Sequence, residues 1–342
     1  MRVCQVISSN LPILPTGIRG WGATELIMDE YSKHLRNLGC IVDFKYLNDV
    51  RNEDYDIIHI HVANLAVEAK NRGLSYIYSN HDHTSYHYGK GSWLYNQQLE
   101  AIKGSVFSIC HGESVMNFFD ETDKLFYLPH GVDTNYYQPY LPKDIKEVKL
   151  LMVASNGMAG DYGIDRKGFR YGVEAAKKLN MPITIVGSEA NAKFFEIHKD
   201  LTEYPLLTID ATNPTEQQKL EYYKSHHIFL HPSYLEFGSP NLTILESTAC
   251  GLPTIAAYDG SKKINGLLVL KSLDVNEICE KIQYVLSNYN DLKIQMLSNR
   301  KANDWSVVVN QLHKMYSVCP SIKEIHSTKE IREKYIKVYE KY

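Results

Sequence analysis

Short apolar runs, each followed by a longer stretch, recur along all 342 residues, and this alternation constrains the fold more than any other feature. In the first series, strands are expected at residues 2–8, 41–46, 57–62, 76–79, 105–110 and 124–128. A helix is expected over 24–38, where Ile27, Tyr31, Leu35 and Leu38 share one face and Gly39 is the stop signal. A second series begins after Pro142, with strands at 148–154, 182–187, 206–209, 228–231, 254–257 and 267–269. Its helices are expected at 172–179, 214–225, 242–249, 275–288 and 304–316. The run 148–154 is nearly all apolar, as befits a strand buried on both faces, and such alternation implies a parallel sheet covered by helices. The expected fold class is α/β: two Rossmann-like, doubly wound parallel-sheet domains facing a cleft, at 1–140 and 144–320. Residues 133–147, with prolines, tyrosines and mixed charges, read as a linker, and 321–342 as a charged terminal helix.

Composition narrows the class of partners. The formal net charge of −3 gives no global drive towards nucleic acid or an anionic membrane. No apolar run approaches the length of a membrane span, and the apolar start of the chain is too short for a signal peptide. The six cysteines are scattered without a C-x-x-C pair, which fits buried thiols in a reducing compartment, so a cytoplasmic location is expected. The 25 tyrosines fit either A/T-biased codons or a sugar-binding surface.

The most informative segment runs from His231 to Pro253: a strand end, a Gly/Pro/Ser loop, then a helix starting near Leu242. Backbone N–H groups of such a loop and helix end suit a phosphate or a sugar hydroxyl. Glu236 precedes the loop and Glu246 lies on the helix; carboxylates accept hydrogen bonds from paired ribose or hexose hydroxyls. The bland alternative is a βα connection with two solvated acids.

This run resembles the E-F-G…E…A-C-G-x-P signature of family 4 glycosyltransferases, retaining enzymes of the GT-B fold. The resemblance implies that Glu246, anchored by Ala249-Cys250-Gly251-Leu252-Pro253, binds the ribose of a nucleotide donor. It implies that Glu236 lies by the transferred sugar, and that the amides of Gly238, Ser239, Pro240, Asn241 and Leu242 form the loop that meets sugar and diphosphate. The family usually has seven residues between the acids; here there are nine. Gly20-Trp21-Gly22-Ala23-Thr24-Glu25 is similar to the family's first phosphate loop, with Trp21 in place of one glycine and Gly22 left as the backbone contact. Pro129-His130-Gly131-Val132-Asp133 is similar to its P-N-G-V-D turn. Arg166-Lys167-Gly168 resembles the K-G that supplies the phosphate-binding lysine, while the arginine expected at Val153-Ala154-Ser155-Asn156 is absent. Arg166, Arg170 and Arg19 are the candidate second cation. By composition alone, Arg166 and Lys167 would be a solvated loop pair.

Among the histidines, His81 follows the strand 76–79 and matches a family histidine near the donor sugar. His59 and His61 face the same side of their strand, one of them as a satisfied sheet residue and His61 nearer the functional edge. Metal binding by His81, Asp82 and His83 is not expected, because adjacent residues rarely point at one ion. The only D-x-D, Asp54-Tyr55-Asp56, precedes its strand and so lies at the wrong sheet edge; no required metal is expected.

The function implied is retaining transfer of a sugar from a UDP- or GDP-sugar to a hydroxyl, with no further cofactor. Glu236, Lys167 and His81 are the catalytic candidates, and Glu246, Arg166, Trp21, Gly22 and residues 238–242 the donor-binding set. The expected acceptor is a polysaccharide or small glycan. Modified DNA is the runner-up, since Tyr86, His87, Tyr88, Lys90 and Trp93 form an aromatic, basic loop. The helix 24–38 carries only Lys33, Arg36 and His34 on its polar side, which argues against a lipid. The competing classes are a nucleotide-sugar 2-epimerase and a non-catalytic sugar-nucleotide- or glycan-binding relative.

Overall fold

A computed structural model of the chain describes residues 1–8, 23–81, 85, 88–119, 122–140, 147–156, 163–233, 240–257 and 263–319. It divides into two compact units: Met1–Gly131 with the chain from Trp305 onward, and Val132–Asp304.

The first unit is built on β1 (Arg2–Ile7), β2 (Ile41–Tyr46), β3 (Ile57–Ile60), β4 (Ile77–Asn80), β5 (Ser108–Cys110) and β6 (Leu125–Tyr127). All pairings are parallel, in the order β2-β1-β3-β4-β5-β6. The apolar runs that suggested strands are buried throughout β3, β4 and β5. The register pairs Asn80 with Cys110 and Cys110 with Tyr127, so the residues just after these three strands emerge at one edge. The helix Ala23–Asn37 buries Ile27, Tyr31 and Leu35, as its periodicity predicts, and packs against Trp305–Val318. Gly131 sits where an added Cβ would come within 2.6 Å of the Trp305 ring, which explains a glycine at that turn. The terminal segment 321–342 lies outside the described residues.

The second unit is built on β7 (Leu150–Val153), β8 (Ile183–Val186), β9 (Leu207–Asp210), β10 (Ile228–His231), β11 (Thr254–Ala256) and β12 (Leu268–Val269). Its order is β9-β8-β7-β10-β11-β12, again all parallel. Read from β7, this is the Rossmann order, with the topological switch between β7 and β10. Leu150, Met152, Ile183, Ile185, Ile228 and Leu230 feed one core, and Leu151, Val153, Val186 and Phe229 feed another. That two-sided burial is why these strands read as unbroken apolar runs. The start of the expected linker is fixed structure. Val132 N–H donates to Asn303 O (2.9 Å), Thr134 N–H to Asp304 (3.1 Å) and Arg300 to Tyr137 O (2.8 Å).

Among the described residues no helix is long and apolar enough to cross a membrane. All six cysteines are free, and all but Cys319 are buried.

Candidate functional site

In the second unit the chain after β7 and β10 converges on one basic loop. Asn156, buried three residues beyond β7, accepts from the backbone N–H of Arg166 (3.0 Å) and of Lys167 (3.3 Å) through its Oδ1. Its Nδ2 donates to Ile164 O (2.8 Å), and its own N–H donates to Asn191 (2.9 Å). On the β10 side, the Ser233 hydroxyl donates to Arg166 O (3.0 Å). Gly168 has φ +71°, and a Cβ there would lie 2.2 Å from Pro232 O, so only glycine lets the loop dock this closely. Asp165 accepts from the N–H groups of Phe169 and Arg170 (both 2.8 Å), which open the helix Phe169–Leu179.

Lys167 is thereby held at the sheet's switch point with little exposure. Burial, and then the neighbouring Arg166 charge, push its pKa well below the usual lysine value. His231, at the end of β10, is pushed down to about 3 by burial and by Lys167 and Arg166, so it is neutral. A ring nitrogen of His231 meets the Asn241 amide at 2.6 Å, which orients Asn241 just before the helix Leu242–Ala249. Arg166 itself reaches Ser155 O (3.4 Å). Arg170 pairs with Asp200 (2.6 Å) and Glu174 (3.4 Å).

Glu246 lies on that helix and is buried. Its carboxylate meets Lys219 Nζ (3.3 and 3.4 Å) and accepts from the Tyr223 hydroxyl (2.7 Å). Lys219 also pairs with Glu216 (2.8 Å), which receives a short hydrogen bond from Tyr137. Burial raises the Glu246 carboxyl above the ordinary carboxylate range, against the opposing pull of Lys219 and the Tyr223 hydrogen bond. Burial likewise works against the Lys219 charge, but Glu246 and Glu216 outweigh it and hold that ammonium above its usual pKa. A carboxylate held by one cation and one hydroxyl keeps lone pairs for a ligand's hydroxyls.

In the first unit, the strand-end histidines form a row. His61 follows β3, His81 follows β4, His111 follows β5, and His130 lies three residues beyond β6. The rings of His81 and His111 stack at 4.4 Å, those of His111 and His130 at 4.2 Å, and His61 and His81 lie 5.2 Å apart. His59 is the satisfied sheet histidine, between Tyr316 (2.6 Å) and Ser79 (2.8 Å), and burial takes its pKa to about 3. Asp54-Tyr55-Asp56 lies before β3, where Asp56 accepts from the Arg2 N–H (2.7 Å), at the opposite edge from this row.

Glu236, Trp21, Gly22, Gly238 and Ser239, like Arg19, Asp82, His83, Tyr86 and His87, lie outside the described residues. Pro240, Asn241 and Leu242 stand at the helix start as the sequence placed them. The sequence reading missed Asn156, Ser233, Lys219 and Tyr223. Asn156 had one usable signal, a polar residue directly after a buried strand; the others show themselves only through long-range contacts.

Residues 155–288 match the family model described as "Glycosyl transferases group 1". No curated protein sequence matches the chain. Among solved structures, it is similar to Anabaena Alr3699/HepE in complex with UDP and glucose, at TM-score 0.69 and 12% identity, over 92% of this chain and 99% of that one. It is similar to WaaG, a glycosyltransferase involved in lipopolysaccharide biosynthesis, at TM-score 0.65 and 13% identity, over 92% and 99% of the two chains. It is also similar to an alpha-glucosyltransferase in complex with UDP and a 13-mer DNA, at TM-score 0.59 and 14% identity, over 93% and 100%. At these identities the likeness is one of fold, the GT-B arrangement of two parallel six-stranded sheets.

Proposed function

We propose that this GT-B glycosyltransferase moves a sugar, with retention of its anomeric configuration, from a nucleoside-diphosphate donor to a hydroxyl of a glycan. The single observation that carries the donor side is the pairing, on one sheet edge, of the buried Lys167 loop with the Asn241-led helix that bears Glu246. In this reading Glu246 accepts from the ribose hydroxyls, while Lys167 and Arg166 meet the diphosphate. As the bond from the anomeric carbon to the phosphate oxygen breaks, charge grows on the diphosphate, where a fixed cation stabilises it most. The acceptor oxygen bonds to the anomeric carbon from the same face, and its proton passes to the departing phosphate oxygen. Neither Lys167 nor Glu246 needs a metal ion for these roles, and we assign none to the donor site.

The test is product analysis by NMR after incubation with UDP- and GDP-sugars, with and without a panel of glycan acceptors and a hydroxymethylated DNA duplex. Retained configuration in a glycan product is the expected result. An inverted product contradicts the stereochemistry, transfer only to DNA contradicts the acceptor, and an altered donor sugar without acceptor identifies an epimerase.

A further inference from the structure

Beyond donor binding, and independent of it, the first unit brings three imidazoles together in a way its strand order dictates. β4, β5 and β6 are neighbours in register, so His81, His111 and His130 emerge side by side at the edge where parallel α/β sheets take ligands. One nitrogen of each lies within 4.8 Å of the others.

The hydrogen bonds around them order the protons. A carbonyl oxygen can only accept, so His111 Nδ1, 2.7 Å from Leu128 O, carries a hydrogen, and the lone pair of the neutral ring is on Nε2. Holding a ring through a backbone carbonyl is how proteins fix the tautomer of a metal-binding histidine. The same logic runs along the row. The Gln5 amide oxygen accepts from His61 Nε2 (2.7 Å), so His61 Nδ1 accepts from His81 Nε2 (2.9 Å), and His81 keeps its lone pair on Nδ1. That Nδ1 is buried and has no hydrogen-bond partner among the described residues.

We propose that His81, His111 and His130 form a binding site for one divalent transition-metal ion of the zinc class, with a coordination position left open for an oxygen ligand. Three imidazoles and one exchangeable position are the donor set of an open zinc site. Tetrahedral coordination at about 2.0–2.1 Å puts nitrogens roughly 3.3 Å apart, so the rings turn out of their stack and close by an ångström or so. His81 sits in a row that also offers His61 as the outer partner fixing its ring.

The experiment uses the full chain, stripped with EDTA and dialysed, then titrated with zinc by calorimetry and with cobalt(II) by visible absorption. The expected result is one equivalent bound with a dissociation constant in the micromolar range or tighter, and cobalt bands of tetrahedral intensity. His111→Asn and His130→Gln should each weaken binding at least tenfold, with circular dichroism unchanged. His226→Gln, in the second unit, should bind as the wild type does. Absence of stoichiometric binding in the folded wild-type chain overturns the proposal, as does binding that both first-unit variants leave untouched. If a variant unfolds, the wild-type cobalt spectrum still decides: bands without nitrogen-ligand character would overturn the site.

Discussion

The two units carry the same kind of sheet, yet they equip the same edge differently. In the second, the loop between β7 and the helix Phe169–Leu179 presents Lys167 and Arg166, and the helix after β10 carries Glu246. In the first, the described strand ends present a row of imidazoles, two of which burial keeps uncharged. Fold therefore supplies position, and the residues after each strand supply the chemistry. A cationic edge suits an anionic nucleotide; a neutral, lone-pair-rich edge suits a soft cation or a hydroxyl.

Lys167 carries most of this contrast. Lys167→Ala should lower kcat by about two or more orders of magnitude, as removal of one transition-state stabiliser does. His111→Asn should leave nucleotide affinity unchanged. Steady-state kinetics and calorimetry on both variants check the contrast; near-normal turnover of Lys167→Ala would erase it.

Next comes Glu246. Glu246→Gln keeps the shape beside Lys219 and Tyr223 but removes the charge that Lys219 faces. Donor affinity should fall by about 1.5–3 kcal/mol, the worth of a charged hydrogen bond. Unchanged affinity in a folded variant would take the ribose away from this residue.

A smaller effect sharpens the role of charge. The Lys167 pKa is depressed in the free protein, and a bound diphosphate would raise it. Between the free and bound values, binding must take up a proton, and affinity must fall as pH rises through the bound-state value. Calorimetry in two buffers of different ionisation enthalpy should show this uptake in the wild type and not in Lys167→Ala. Smallest of all is the effect of chelation: EDTA should leave donor affinity unchanged, even if it strips the histidine row. Loss of donor affinity with EDTA, restored by manganese or magnesium, would put a metal in the donor site.

The strands were legible because burial on both faces leaves runs such as Leu150–Val153 wholly apolar. Helices were read where an apolar stripe recurs, as in Val275–Ser287. Ala63–Asn71, short and without a side-chain cap, escaped; Trp93–Gly104 escaped despite the Ser92 side chain that caps it at Tyr95 N–H. Lys167 and Glu246 were singled out by local motif. The histidine row was not, because His111 and His130 lie far along the chain from His81 and meet it only through the order β4-β5-β6. Sequence spacing holds no record of which strands become neighbours.

Whether an anionic nucleotide belongs to the second unit's edge is decided by hydrogen exchange on the full chain with saturating UDP or GDP. Protection should concentrate at 153–168 and 231–249, with the strand ends at 80–81, 110–111 and 128–130 little changed. Protection confined to those first-unit strand ends, with 153–168 and 231–249 unaffected, would contradict it.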